Sequence, residues 1–224
     1  MTSVSEAVRG RRSARAFLAT ALPRETVEEL LTLAARAPSG GNLQPWQVIA
    51  LTGEPLEALK AKVLAKVAAG EAYEPMEIQV YPSPLEEPWR SRRFESGEAL
   101  YRSIGVGRED KAGRRAQFAR NYNLFGAPVG LFFFVHRSFD RPQWAHLGMF
   151  IQTLMLLAEE RGLGTCAQES WAAYSRTVSD ICGQGEEMVL HCGVALGHPD
   201  TKHPINGWRT ERAPLAEYAR LEGF

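Results

Sequence analysis

Three arginines and a serine stand within five positions near the N-terminus, as Arg11, Arg12, Ser13 and Arg15. A guanidinium group is planar, stays charged at any working pH and donates hydrogen bonds in a fork that matches phosphate oxygens. Because a helix-like run ends just before these residues, the cluster predicts a cradle for a dianion at a helix end. The residues alone leave one alternative open, which is an ordinary solvated basic surface.

A second group of residues suited to ligand contact occupies positions 38–46, with the sequence P-S-G-G-N-L-Q-P-W. Its two adjacent glycines let the backbone turn sharply and approach a ligand closely. The amide side chains of Asn42 and Gln44 offer the donors and acceptors that the edge of a heterocycle requires. The segment also fits a loop that merely ends a helix before a strand.

Two further segments carry candidate ligand contacts in the second half of the chain. The glycines of G-L-G-T at 162–165 are expected to end a long helix, and a short strand follows. The backbone of Glu169 and Ser170, at the end of that strand, could face a cofactor. In the tail, Arg209 and Arg212 either complete the cradle or remain surface charges.

Composition limits the classes of protein and of partner. The 224 residues include 26 Lys+Arg and 26 Asp+Glu, so the net charge is zero and gives no reason to expect nucleic acid or an anionic membrane. The three cysteines lack C-x-x-C spacing and the five histidines lack metal-ligand spacing, so neither a disulfide framework nor a metal site is predicted. Without an apolar signal core or a bilayer-spanning stretch, a soluble, cytoplasmic protein is expected.

Apolar periodicity predicts the elements that must position these groups. Strands are predicted over 47–51, 129–135, 165–168 and 188–196, and helices over 3–10, 54–69, 144–161 and 176–181, with another between Pro23 and Pro38. Residues 129–135 are apolar throughout, as in a central strand buried on both faces. Residues 144–161 are apolar on nearly every side, so a second subunit is expected to cover part of that helix.

We expect a single domain over 1–224 in which residues 71–125 form an excursion from the core. Four prolines between positions 70 and 89 exclude a regular helix there, and 90–122 is expected to form two helical pieces. Long loops of this kind are often functional, so the excursion is predicted to be a lid. Its rings either stack on a flat acceptor or pack the excursion onto the core: Tyr73, Tyr81, Trp89, Tyr101, Phe118, Tyr122 and Phe125.

Taken together and in this order, four segments resemble the FMN-dependent nitroreductase family. They are R-R-S-x-R from 11, P-S-G-x-N-x-Q-P-W from 38, G-L-G-T from 162 with the turn that contains Glu169, and R-x-P-L from 212. The likeness covers nearly the whole chain except the excursion. It implies an α+β fold with a mostly antiparallel central sheet flanked by helices. It also implies an intertwined homodimer with an exchanged C-terminal arm and two FMN molecules at the interface.

The resemblance also assigns residues to FMN binding by position. These are Arg11, Arg12, Ser13, Arg15, Pro38, Ser39, Gly40, Asn42, Glu169, Ser170, Arg209 and Arg212. The N-terminal cluster and the arginines of the arm correspond to the phosphate and ribityl contacts, with Arg15 near the N1–C2 edge of the flavin. The 38–42 segment corresponds to a contribution from the opposite subunit, and the turn at Glu169 to the surroundings of N5. His146 departs from the family, since relatives often have an acidic residue there, before the dimer helix.

The function implied by this resemblance is flavin-dependent reduction of a nitroaromatic or quinone. NADH or NADPH would reduce FMN and leave before the small aromatic acceptor takes the two electrons, and no catalytic side chain is required because the chemistry occurs at N5. Two alternatives stay open. One is a reductive dehalogenase of the same fold, for which Glu98 and Tyr101 lie in the corresponding region but no lysine is identified. The other is a flavin-binding protein without turnover.

Overall fold

The computed structural model describes residues 2–224, and its central element is a four-stranded sheet with the order β1-β2-β4-β3. The strands are β1 (Gln47–Thr52), β2 (Val129–His136), β3 (Gly164–Gln168) and β4 (Met188–Gly197). All three neighbouring pairs are antiparallel. The predicted strands and the predicted antiparallel sheet are therefore confirmed.

Seven α-helices flank this sheet in the described part of the chain. They are α1 (Val4–Gly10), α2 (Arg24–Ala34), α3 (Gly53–Ala69), α4 (Trp89–Ser103), α5 (Lys111–Ala119), α6 (Arg141–Glu160) and α7 (Ser175–Cys182). Each predicted helix is present, but α6 begins three residues earlier than periodicity indicates. Its start is set by a capping box between Asp140 and Gln143, with a proline in the first turn.

β2 is buried on both faces, as its continuous apolar run predicts. Alternate side chains of a strand point to opposite faces, so Phe133 and Val135 meet α2 and α6 while Phe132 and Phe134 meet α3 and α7. All four side chains have no exposed surface. The sheet therefore separates two apolar cores and gives β4 and β3 a rigid support.

An edge segment, residues 11–17, lies along β3 on its outer side. Ser13 and Thr165 form a parallel bridge, and the amide of Ala14 donates to the carbonyl of Thr165 at 2.9 Å. Further along, Phe17 bridges to Pro199 at the beginning of the tail. The first arginine cluster is thus carried on extended backbone at a sheet edge, where the sequence had indicated only the end of a helix.

The excursion over 71–125 is only partly outside the core. Residues 71–88 contain no helix or strand, and α4 and α5 follow as the two predicted helical pieces. A 3₁₀ segment then leads into β2, and within it Tyr122, Leu124 and Phe125 are buried beside α3 and α7. For Tyr122 and Phe125, packing onto the core is what the structure shows.

One face of α6 is buried, while the opposite face of this single chain is exposed. Leu147, Phe150 and Leu154 are buried against the sheet, whereas Met149 keeps 46% of its surface exposed. That a second copy covers this face stays a prediction. Of the helices in residues 2–224, none combines the length and the apolar character needed to cross a bilayer.

Candidate active site

The edge segment and the tail together enclose a cavity of about 350 Å³, which we call the arginine cavity. Six arginines line it: Arg9, Arg11, Arg12, Arg15, Arg209 and Arg212. Ser13 and Thr210 add hydroxyl groups, and none of the described residues that line the cavity is acidic. The structure thus brings the N-terminal cluster and the two arginines of the tail to one place, which the sequence order alone did not require.

Asn206 ties the tail to the edge segment. Its Oδ1 accepts from the amide of Arg15 at 2.8 Å, and its Nδ2 donates to the carbonyls of Ala16 at 2.8 Å and Asp200 at 2.9 Å. The side chain is 1% exposed. Sequence analysis missed this role, because Asn206-Gly207 signals a turn but does not show which distant backbone groups the amide meets.

Among residues 2–224, no carboxylate forms an ion pair with any of the six arginines of the cavity. Burial lowers the pKa of Arg11, and the nearby charge of Arg212 lowers it further. Backbone oxygens hold several of the guanidinium groups: Arg209 donates to the carbonyl of Arg9 at 2.8 Å, and Arg15 to the carbonyl of Ser13 at 3.3 Å. A bound dianion would relieve this crowding of like charges, so the donor set fits a phosphate group.

The turn after β3 contains polar groups without partners. Ser170 Oγ and Gln168 Oε1 are buried and form no hydrogen bond among the described residues. Gln168 uses its Nε2 to donate to the carbonyl of Asn121 at 2.8 Å. Glu169 keeps contact with solvent, but neighbouring atoms desolvate its carboxyl group and raise its pKa. Unpartnered buried groups of this kind indicate a ligand, since leaving them unsatisfied is costly.

A second cavity, of about 550 Å³, opens at this turn, and we call it the aromatic cavity. Its walls combine residues 167–170 with side chains of the excursion, including Met76 and Arg93. Of the rings expected in a lid, four line it: Tyr73, Tyr81, Phe118 and Tyr122. Trp89, Tyr101 and Phe125 lie elsewhere. The aromatic cavity therefore has the flat apolar walls that an aromatic molecule requires.

A half-buried ion pair anchors the loop that begins this wall. Lys66 Nζ lies 2.7 Å from Glu74 Oε1, and Thr177 donates to both carboxylate oxygens through its amide at 3.2 Å and its hydroxyl at 2.5 Å. Burial acts to raise the pKa of Glu74, but the hydrogen bonds from Lys66 and Thr177 outweigh it and lower the pKa. Thr177 and Glu74 lie more than a hundred positions apart in the sequence, so local sequence patterns could not show that they are in contact.

The 38–42 segment lines neither cavity of its own chain. Pro38, Ser39, Gly40 and Asn42 lie in a loop against α6, where the amide of Gly40 donates to His146 Nε2 at 3.3 Å. His146 stands inside α6, in its second turn, so the expectation that it precedes the dimer helix is wrong. The helix predicted over 144–161 already includes this position, and the capping box at Asp140 extends that helix by three residues at its start.

The dehalogenase alternative receives no support from the excursion. It requires a free carboxylate, but both oxygens of Glu98 accept from Arg114, at 2.6 and 2.8 Å. These hydrogen bonds lower the pKa of Glu98. The same guanidinium lies over the ring of Tyr101, 4.4 Å from its centroid. Glu98 and Tyr101, which would have to contact a substrate, are thus both bound by Arg114 of the same chain.

Comparison with known proteins decides the family. The sequence model of the Nitroreductase family matches residues 8–198. The chain belongs to the nitroreductase family. The match spans three of the four resembling segments, all but the R-x-P-L of the arm, and it confirms the resemblance to this family.

Individual nitroreductases are similar over almost the whole chain. The 4-nitrobenzoate reductase of Nocardioides sp. (strain LMS-CY) is 40% identical over 210 residues, covering 93% of this chain and 85% of the relative. The 4-nitrobenzoate reductase of Pseudomonas putida is 35% identical over 217 residues, covering 97% and 94%. A crystal structure of the FMN and NADPH-dependent nitroreductase NfnB from Sphigopyxis sp. strain HMH superimposes with a TM-score of 0.96 at 47% identity, over 99% of this chain and 100% of that one.

Proposed function

We propose that this nitroreductase binds FMN and uses NADH or NADPH to reduce small nitroaromatic compounds. The observation that carries the proposal is the placement of both cavities along β3. Thr165 pairs with the edge segment beside the arginine cavity, and Glu169 lines the aromatic cavity roughly 13 Å further along an extended strand. This span suits a phosphate that a short chain joins to a flat ring.

The residues present fit FMN in the following way. Arg11, Arg12 and Ser13 would hold the phosphate and the ribityl chain, with Arg209 and Arg212 closing the cavity from the tail. Arg15 would lie toward the N1–C2 edge, and the backbone of Glu169 and Ser170 toward N5. Among the described residues, the crowding of Arg11 by the charges of Arg212 and Arg209 and the unpartnered Ser170 Oγ support these assignments.

The cofactor, when bound, would supply the redox chemistry by carrying two electrons from NAD(P)H to the acceptor. The balance is ArNO₂ + NAD(P)H + H⁺ giving ArNO + NAD(P)⁺ + H₂O. The chain itself orients the two aromatic partners and excludes water. Tyr122 belongs to this packing: burial raises the pKa of its phenol, and its OH donates to the carbonyl of Ser170 at 3.4 Å. It thereby supports the turn at which the acceptor is reduced.

We also propose a homodimer in which the 38–42 segment of each chain completes the FMN site of the other. That segment carries the residues of a ligand loop but faces neither cavity of its own chain, and it rests on α6, whose Met149 is exposed. Each chain is one domain over 1–224, and the part of 71–125 that lies outside the core acts as the lid.

The test is acceptor-dependent oxidation of NADPH by the purified protein. We expect the protein to be yellow, to release one FMN per chain on denaturation, and to oxidise NADPH faster when 4-nitrobenzoate or nitrobenzene is added. A protein that binds flavin but whose NADPH oxidation does not increase with acceptor would favour the flavin-binding alternative. A protein that holds no flavin after reconstitution would refute the proposed FMN site.

Variants of the arginine cavity test the FMN site, with an exposed arginine elsewhere as the control. Arg12→Ala and Arg212→Ala are each expected to weaken FMN binding by about 1.5–3 kcal/mol, the usual contribution of a charge-assisted hydrogen bond. Arg24→Ala removes an exposed arginine that, within residues 2–224, is paired only with Glu28, so it should leave the affinity unchanged. The dissociation constant of FMN, measured by fluorescence quenching, compares the three.

A further inference from the structure

The aromatic cavity contains two charged side chains of opposite sign on different elements. Glu169 belongs to the turn after β3, and Arg93 belongs to α4. The two do not form an ion pair with each other. Two neighbouring arginines of the same helix are paired, since Arg90 Nε lies 2.6 Å from Glu87 Oε1 and Arg92 contacts Glu217. Within residues 2–224, Arg93 has no carboxylate partner, so its charge is available to a molecule in the cavity.

The ring of Tyr81 supports the guanidinium of Arg93. The central carbon of the guanidinium lies 4.2 Å from the centroid of the Tyr81 ring, which also lines the cavity. Such a cation–π contact restricts the group to one plane while leaving its N–H edges free. A restricted fork of donors loses less entropy when it binds a planar carboxylate, which it matches through two parallel hydrogen bonds.

The remaining walls of the cavity are suited to an aromatic ring. Tyr73, Phe118 and Tyr122 supply aromatic surface, and Met76 adds a flexible apolar contact. A carboxylate on such a ring would be repelled by Glu169 and attracted by Arg93. The two charges therefore favour one orientation, with the anionic end at α4 and the opposite end at the turn after β3.

We propose that Arg93 binds a carboxylate of the acceptor, so that this enzyme prefers nitroaromatic acids and orients them with the nitro group toward Glu169 and Ser170. The proposal rests on the proposed function and adds to it the charge of the substrate and the residue that recognises it. Arg93 acts in binding and specificity, and it takes no part in electron transfer.

The experiment compares two acceptors of nearly equal shape, 4-nitrobenzoate and the neutral 4-nitrobenzamide. For Arg93→Gln we expect kcat/KM for 4-nitrobenzoate to fall by about tenfold or more, mainly through KM, because a charge-assisted contact is lost at the ground state. For 4-nitrobenzamide the change should stay within about threefold. Arg93→Lys should recover part of the loss. The matched control, Arg90→Gln, removes an arginine of the same helix that lies outside the cavity, so both acceptors should behave as in the parent.

Binding of benzoate provides a second readout that needs no turnover. Calorimetry on the flavin-loaded protein should show weaker benzoate binding in Arg93→Gln and Tyr81→Leu, and nearly unchanged binding in Tyr81→Phe, which keeps the supporting ring. Equal losses for the acid and the amide, or unchanged benzoate affinity in Arg93→Gln, would overturn the proposal. If no nitroaromatic supports NADPH oxidation, the proposed function fails, while benzoate binding still decides whether Arg93 recognises a carboxylate.

Discussion

Side chains of the arginine cavity are held by the backbone, and this leaves their charge available to a ligand. Arg212 donates to Thr210 Oγ1 at 2.6 Å, and Arg209 to the carbonyl of Arg9. A carboxylate partner would have competed with a phosphate for the same donors. Neutral oxygens orient the guanidinium groups without cancelling their charge, which is the arrangement expected of a preorganised anion site.

Arg15 permits a test at the scale of one residue. Reduction of FMN leaves negative charge at the N1–C2 edge, and a guanidinium fixed there in a partly desolvated site stabilises that charge. We therefore expect Arg15→Ala to lower the two-electron midpoint potential of the bound flavin. A shift of about 30 mV corresponds to roughly 1.4 kcal/mol for two electrons.

Spectroelectrochemistry of the flavin-loaded variants measures this potential directly. Arg15→Lys keeps a positive charge and should lie closer to the parent than the alanine variant. If Arg15→Ala binds FMN and its potential equals that of the parent, then Arg15 is an ordinary member of the basic cluster.

Among the elements, the edge segment depends on a clamp from the tail rather than on a full strand ladder. One bridge to β3 and two hydrogen bonds of Asn206, to the amide of Arg15 and the carbonyl of Ala16, hold the edge segment. The third hydrogen bond of Asn206 stays within the tail, at the carbonyl of Asp200. The same clamp brings Arg209 and Arg212 within reach of the cavity, because Asn206 lies only a few residues before them. The position of the phosphate site is thus coupled to the attachment of the arm.

Asn206→Ala tests this coupling between elements. The substitution leaves the amide of Arg15 without its buried partner, while the carbonyl of Ala16 keeps only the amide of Asp200 as a donor. We therefore expect the free energy of unfolding to fall by about 1–3 kcal/mol. Urea unfolding followed by circular dichroism measures the change. FMN affinity should fall as well, because the edge segment and the tail are no longer joined.

An exposed amide serves as the reference for this measurement. Gln79→Ala changes a side chain at the surface of the excursion, and such substitutions usually alter stability by less than about 0.5 kcal/mol. A similar, small effect for Asn206→Ala would show that the clamp contributes little to the fold.

For the molecule as a whole, exposed apolar side chains lie on α6 and on two segments that contact it, where a second copy is proposed to bind. Val4 is 76% exposed and Val8 54% on α1, which contacts α6, and Leu43 is 52% exposed at the end of the 38–42 segment. Met149 lies on α6 between His146, which contacts Gly40, and Glu159, which lies beside Gly10. Apolar side chains left uncovered in one chain favour association, because their burial removes apolar surface from water.

Met149→Arg is expected to shift the protein from dimer to monomer and to reduce its flavin content. A charge placed in an apolar interface would be desolvated without a partner, which opposes association. Multi-angle light scattering gives the mass, and Met149→Leu, which keeps the apolar surface, should remain a dimer. A parent protein that is already monomeric, or a dimeric Met149→Arg variant, contradicts the proposed interface.

Local patterns in the sequence were sufficient for most of the secondary structure and for the family. β2 was predicted from its continuous apolar run and β1 from its β-branched residues. α2 and α3 were predicted because their apolar residues recur at helical spacing. The arginine cluster by itself predicted a cradle for a dianion, and the resemblance of the four segments to the nitroreductase family implied FMN. These are properties of neighbouring residues, which a linear sequence contains in full.

Contacts between distant parts of the chain had to come from the folded structure. No periodicity shows that Asn206 binds the backbone at Arg15, that Thr177 completes the site of Glu74, or that Tyr81 supports Arg93. Nor did it show that Tyr122 belongs to the core, because a ring in a loop-rich stretch packs wherever the neighbouring helices leave space. Such contacts depend on how β3 and its edge segment are assembled, and the free energy that selects them arises only when separated segments meet and exclude water.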